Sequence, residues 1–277
     1  MQPKQQTRDK TKEFGYSREQ FNRLRSLANS YSGISVSDEK YEMYYSRLTK
    51  RLRIHQLKDF ADYVALVEND PREFKEFINS ITTNVTSFGR EQHHFDYLIN
   101  EVKQCPGREF NVWSAGCSSG EEPYSIVLNI LPLCEQQHID LNVTATDLDT
   151  GVLRKGIAGV YPLQAIEQYD IKVKRTFFEK GTGSNVDKCR VKKQYRKLVK
   201  FQQLNLMHEW RMRRKYDAIF CRNVLIYFDN PKKQRLLDMY YHCLKPKGLL
   251  FLGHSESLHN ITSGFDSVGK TIYRRRD

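Results

Sequence analysis

Along residues 17–83 apolar side chains recur at three- and four-residue spacing, the period that gathers them on one stripe of an α-helix. Tyr41, Tyr44, Tyr45, Leu48 and Leu52 follow it, with Ser37 placed to cap the helix and Arg47, Lys50, Arg51 and Arg53 on the opposite face. Residues 57–67 repeat the pattern. Asp70 followed by Pro71, a capping acid before a first-turn proline, opens a further helix over 72–81. Past residue 104 the period changes. Residues 110–113, 142–146, 216–221 and 248–253 are short apolar runs that read as strands. Helical segments open at 121, near Asp149 and at 231. Strands alternating with helices predict an α/β fold, a parallel sheet covered on both faces. Residues 265–273 are expected to add a hairpin at its edge. Between 169 and 204 the alternation breaks, and the turn at 181–185 marks a small β insertion.

This division gives a disordered tail at 1–15, a helical N-terminal domain at 16–92 and an α/β domain at 93–277 with a β subdomain near 170–203. Charge changes the picture in one place. The chain carries +12, and residues 172–215 hold fifteen Lys and Arg against Glu179, Asp187 and Glu209, so this segment carries the whole excess. Such a concentration suits nucleic acid, an acidic protein surface or anionic lipid, although a solvated basic hairpin accounts for the same count. No apolar run approaches the ~20 residues of a membrane span, and the polar opening resembles no secretory signal. The six cysteines, Cys105, Cys117, Cys134, Cys189, Cys221 and Cys243, contain no CxxC pair, so reduced thiols, no metal site and a cytoplasmic location are expected.

The candidate chemistry lies where the predicted strands end. The run Ala115-Gly116-Cys117-Ser118-Ser119-Gly120 comes after the first strand, where glycines let a ligand approach the backbone closely. Ser118 replaces the middle glycine of a dinucleotide loop, which must bring a pyrophosphate onto a helix N-terminus. Acids stand here instead: Glu121 and Glu122 directly after the loop and Asp147 at the end of the second strand, acceptors suited to an amino group and to ribose hydroxyls. Glu121 and Glu122 would equally complement a helix N-terminus without any ligand.

Five segments in order resemble the CheR family of chemotaxis-receptor methyltransferases: 84–91 (NVTSFGRE), 113–125 (WSAGCSSGEEPYS), 146–149 (TDLD), 220–228 (FCRNVLIYF) and 244–256 (LKPKGLLFLGHSE). The resemblance spans about residues 41–273. It implies a Rossmann-like sheet that binds S-adenosyl-L-methionine and releases S-adenosyl-L-homocysteine, with a small antiparallel β insertion and a preceding all-α domain. It implies no metal. It also assigns roles. Asn84 and Thr86 contact the cofactor, Arg90 lies near the transferred methyl and orients the substrate carboxylate, and Glu122 binds the methionine or ribose end. Asp147 holds the ribose, Asn205 and Leu206 flank the adenine, Arg222 and Asn223 lie beside the methionine moiety, and Tyr227 faces the methyl group. The implied substrates are glutamate side chains on the cytoplasmic helices of chemotaxis receptors. A glutamate is already ionised near neutral pH, at an ordinary pKa of about 4.3. Transfer then needs orientation and desolvation rather than a general base.

Two departures stand out. Gly89 occupies a place that is often Phe, which is expected to loosen the backbone before Arg90. Asp187 occupies the place of the third glycine in the insertion turn of members that dock a receptor pentapeptide, so docking of that kind is not expected here. The basic insertion is expected instead to steer the enzyme to an acidic receptor surface or, weakly, to anionic membrane. A monomer without a nucleic-acid partner is expected. An RNA methyltransferase would suit the basic segment, but the Asn/Asp-Pro-Pro-aromatic string of base-methylating enzymes is replaced by Arg222-Asn223-Val224-Leu225. A non-catalytic cofactor-sensing scaffold would not need Arg90, Glu122 and Asp147, all of which are present. Outside a site, Arg90 would pair with Glu91 or Asp96, and Tyr227 would simply pack. No histidine shows a spacing that suggests a role.

Overall fold

A computed structural model describes residues 12–210, 212, 214–258, 261 and 264–277. By its contacts the chain separates between Thr83 and Asn84. This is earlier than the expected boundary at 92, because residues 84–92 are bonded into the second unit: Gly89 N–H donates to Ser125 Oγ at 3.0 Å and Gln168 Nε2 to the Phe88 carbonyl at 3.2 Å.

The first unit is helical: α1 (Arg18–Ser32), α2 (Tyr41–Ile54), α3 (Phe60–Asn69) and α4 (Pro71–Ile81). Ser17 and Gln20 close a reciprocal capping box on α1. Asp59 and Asp70 cap α3 and α4 through their side chains. Ser37 does not cap α2; it precedes a 3-10 turn, Asp38–Lys40, that runs into the helix and takes the first orphan amide. Phe21, Leu24, Tyr44, Leu48, Leu52, Phe60, Tyr63 and Phe77 form the core. Each such side chain contributes roughly 1.5–3 kcal/mol when fully buried. Of the expected tail, residues 1–11 lie outside the described residues. Lys12 and Glu13 are tied to this unit through Glu42 (2.7 Å) and Arg53.

The second unit contains α5 (Gln92–Lys103), β1 (Glu109–Ala115), α6 (Glu121–Gln136), β2 (Asp140–Asp147), α7 (Thr150–Ala158), β3 (Val160–Pro162), α8 (Ile171–Phe177), β4 (Phe178–Lys180), β5 (Lys188–Val191), α9 (Lys193–Arg196), β6 (Val199–Gln203), β7 (Tyr216–Cys221), α10 (Asn230–Cys243), β8 (Leu244–Leu252), β9 (Phe265–Gly269) and β10 (Ile272–Arg275). Seven strands form one sheet in the order β6-β2-β1-β7-β8-β10-β9. The first five are parallel and β10 runs antiparallel to both its neighbours. The edge hairpin therefore lies where the sequence placed it. The order reverses between β1 and β7, which places the candidate ligand site at the carboxyl ends of these strands.

The small sheet, β3-β5-β4, is antiparallel, but its bounds differ from expectation. It recruits β3 from before residue 170, and β6 leaves it to pair with β2 as the edge of the main sheet. Val199 is buried against that sheet while the exposed lysines around it hide the pattern. The turn needs Gly181 and Gly183 for different reasons: a Cβ at Gly181 would lie 2.0 Å from the Asn185 carbonyl, and Gly183 has φ +57°. Asp187 is not among the positive-φ residues. The position therefore needs no glycine for its backbone conformation.

Candidate active site

The loop after β1 is built from left-handed residues: Gly116 (φ +105°), Ser118 (+49°) and Gly120 (+96°). A Cβ on Gly116 would lie 2.5 Å from Val224 Cγ2, so glycine there lets the loop after β7 close against it. Ser118 carries a local conformational cost because it has a side chain. Its amide donates to Asp147 Oδ2 at 2.8 Å and its hydroxyl to the Asn84 carbonyl at 2.9 Å. Asp147 also accepts from the Asp149 amide at 2.9 Å. Asn84 Nδ2 donates to Asp149 Oδ2 at 2.7 Å. One network thus joins the end of β2, the glycine loop and the start of the 84–91 stretch. Burial raises the Asp147 carboxyl to about 6, against the opposing pull of the two amides.

A second network lies beside it. Glu122, on the first turn of α6, accepts from Ser114 Oγ at 2.7 Å and faces Arg222 Nη1 at 3.4 Å. Burial holds its carboxyl above the usual range, opposed chiefly by the Arg222 charge. Arg222 comes after β7 and is buried; its Nε donates to Glu91 Oε2 at 3.1 Å and its Nη2 to the Arg90 carbonyl. Glu91 also accepts from the His254 amide at 2.9 Å and faces His254 Nδ1 at 3.0 Å. Burial raises the Glu91 carboxyl, but His254 and Arg222 together bring it below the usual range.

The remaining expected residues are distributed around these networks. Leu204 N–H donates to the Asp147 carbonyl at 3.0 Å, which sets Asn205 and Leu206 just past the end of β2. Asn205 Oδ1 accepts from the Met207 amide at 2.9 Å. Asn223 is left-handed (φ +58°), and its amide donates to Glu256 Oε2 at 2.8 Å. Tyr227 ends a 3-10 turn, Leu225–Tyr227, and is half-buried. Thr86 is half-buried in the stretch before Arg90. Gly89 (φ +64°) is anchored through Ser125 and is not loose. Arg90 pairs with neither Glu91 nor Asp96; its Nη1 donates to the Val85 carbonyl at 3.1 Å, and its charge is felt at Glu122.

Sequence reasoning missed Glu91, His94, His254, Asp149 and Glu256. Glu256 is buried and accepts the amides of Asn223, Ile226 and Gly253 at 2.8, 3.2 and 2.6 Å, clasping the loops after β7 and β8. The available signal was position: one acid beside a motif arginine and another just past the end of an apolar strand.

Strand order, glycine loop and acids at the strand ends define the class, an S-adenosylmethionine-dependent methyltransferase. The donor set fits that cofactor. Glu122 and Asp147 offer acceptors, and among the described residues Asn223 Oδ1 is buried without a hydrogen-bond partner, as a polar atom that meets a ligand would be. Among the same residues no cluster of His, Cys, Asp and Glu could hold a metal ion.

Comparison with known proteins places it further. Residues 84–274 match the model described as CheR methyltransferase, SAM binding domain, and residues 19–82 that described as CheR methyltransferase, all-alpha domain. The chain belongs to the CheR methyltransferase family, the methyltransferases of chemotaxis. It is 42% identical to "Chemotaxis protein methyltransferase 2" of Pseudomonas aeruginosa over 264 residues, 94% of each chain. It is 42% identical to "Chemotaxis protein methyltransferase" of Klebsiella aerogenes over 91% of this chain and 88% of the relative. To the protein of that name from Salmonella typhimurium it is 38% identical, with the same coverage.

Proposed function

We propose that the chain esterifies glutamate side chains on the cytoplasmic helices of chemotaxis receptors, in the cytoplasm and as a monomer, without a nucleic-acid partner. S-adenosyl-L-methionine supplies an electrophilic methyl on a sulfonium. Glu122 and Asp147 bind the cofactor's polar ends, with Asn84, Thr86, Asn205, Leu206, Arg222 and Asn223 around it. Arg90 holds the substrate carboxylate and Tyr227 lines the methyl's path. The observation that carries this reading is Arg90 itself. Its guanidinium is hydrogen-bonded to one carbonyl and, among the described residues, ion-paired to no acid, while its backbone carbonyl accepts from Arg222, which faces Glu122. A cation left so beside the cofactor acids can meet an incoming carboxylate. It aligns a carboxylate oxygen that carries no proton to be removed, and the ester leaves as a neutral group.

The test uses receptor-containing membranes and methyl-labelled cofactor. The expected product is alkali-labile methyl ester, with Arg90→Ala slowing turnover by about a hundredfold or more, the scale of lost orientation, in a protein of unchanged circular dichroism. Alkali-stable label would exclude the ester, and a near-normal rate in Arg90→Ala would remove Arg90 from catalysis. The cations of the β insertion are proposed to steer the enzyme to acidic receptor surface or weakly to anionic membrane.

A further inference from the structure

Glu256 is 5% exposed, and among the described residues it forms no ion pair. A carboxylate taken out of water is costly unless hydrogen bonds replace its solvation. Here backbone amides replace it, and they are divided between its two oxygens. Oε2 accepts from Asn223 at 2.8 Å and from Gly253 at 2.6 Å, while Oε1 accepts from Ile226 at 3.2 Å. The two oxygens thus hold two ends of the loop after β7. Asn223 is left-handed, a conformation that costs free energy for a residue with a Cβ and persists where the surroundings fix it. Gly253 lies against it so closely that a Cβ there would come within 2.8 Å of the Asn223 amide nitrogen. Ile226 is 50% exposed between buried Leu225 and buried Phe228, so its side chain adds little packing to the turn that carries Tyr227. The bond from its amide to Glu256 supplies the hold instead.

We propose that Glu256 is a positioning residue for methyl transfer: Oε2 sets Asn223 against the methyl donor, and Oε1 sets the turn that aims Tyr227 along the methyl's path. This rests on the reading that Asn223 lies beside the methionine end of the cofactor and that Tyr227 lines the approach to the methyl. Glu256 itself touches no reactant. It fixes loop backbone that strand pairing does not fix, and orientation at a reacting centre is lost with small displacements. The two jobs can be separated chemically, because glutamine offers one acceptor oxygen and one donor nitrogen where glutamate offers two acceptors. In Glu256→Gln the oxygen can satisfy the two amides of Asn223 and Gly253. The nitrogen then faces the Ile226 amide, donor against donor, so the Tyr227 end is released while the Asn223 end stays.

Calorimetry of S-adenosylmethionine binding and steady-state methylation of receptor membranes by the full-length protein test this, at a temperature where circular dichroism shows each variant folded. Glu256→Gln is expected to hold cofactor affinity within about twofold and to lower kcat by about ten- to a hundredfold, the scale of one lost hydrogen bond to a charged group. A merely structural carboxylate would not produce that split: unchanged kcat, or affinity and kcat falling together, overturns the proposal. Tyr227→Ala tests the coupling. If Glu256 acts through Tyr227, adding Glu256→Gln to Tyr227→Ala lowers kcat by less than about threefold, whereas the full additive loss overturns the proposal. Gly253→Ala crowds Asn223 without altering the carboxylate and keeps the question answerable if Glu256→Gln does not fold. It is expected to weaken cofactor binding by about five- to tenfold, the scale of a modest overpacking, and unchanged affinity overturns the proposal. Normal turnover in Tyr227→Ala together with unchanged affinity in Asn223→Ala would instead overturn the underlying site reading, and the proposal with it.

Discussion

At the level of single residues the site turns on carboxylates kept where burial resists them. Asp147 binds two backbone amides, yet its folded pKa lies at about 6. A raised carboxylate pKa means that the ionised form is disfavoured in the fold, a penalty relieved as pH falls through about 6. Cofactor binding through ribose hydroxyls calls for the ionised form. Affinity for S-adenosylmethionine is therefore expected to fall as pH drops through that value, and titration calorimetry of Asp147→Asn should lack this inflection. Asp147→Ala should weaken binding by about 1.5–3 kcal/mol, the scale of a hydrogen bond to a charged group. Glu122, Asp147 and Asn84 were legible in the sequence because each sits in a short string of recognisable order. Glu91 and Glu256 were not, since their partners lie 163 and 33 residues away.

At the level of elements, the basic face expected on α2 is largely engaged. Arg51 pairs with buried Glu73, which also accepts from Tyr63 Oη at 2.9 Å and faces His55 Nε2 at 2.7 Å. Arg47 donates to the carbonyls of Ile81 and Thr82 at the end of α4, at 3.0 and 2.6 Å. Helical spacing marked these arginines as one face but could not reveal that α4 lies against it. Glu73→Ala should cost about 3–5 kcal/mol, the range for orphaning a buried ion-pair partner, seen as a lowered melting temperature. Burial raises the Glu73 carboxyl, but Arg51, His55 and Tyr63 bring it below the usual range. The stability it contributes is thus present above the unfolded carboxylate range and lost as pH falls through the lowered folded value.

For the molecule as a whole, positive charge is concentrated on and beside the small sheet: residues 172–200 hold eleven Lys and Arg against Glu179 and Asp187, +9 of the chain's +12. Among the described residues, no cation between 172 and 200 forms an ion pair with an acid. Several bond carbonyls instead: Arg190 to Ala158 (3.0 Å), Arg196 to Val191 (3.0 Å) and Lys192 to Arg175 (2.6 Å). Such bonds leave the charge uncancelled, so the field extends into solvent over roughly a Debye length of 8–10 Å. Replacing exposed Lys193, Lys197 and Lys200 with Gln should weaken sedimentation with anionic vesicles or receptor membranes at low salt and flatten its salt dependence. Equal binding at every salt concentration would clear the insertion of this role.

The order of amino acids was enough to settle the class of the main elements, the alternation that makes a parallel sheet, the cap at Asp70 and the short strings that carry the acids and Arg90. These rest on local physics: periodicity, capping and turn chemistry act within a few residues. Three-dimensional packing settled the rest. It sent β6 to the main sheet although its lysines resemble those of the insertion, because pairing with β2 buries Val199. It brought His254 and Arg222 to Glu91 across 163 and 131 residues, because only the sheet order sets the ends of β7 and β8 beside the 84–91 stretch.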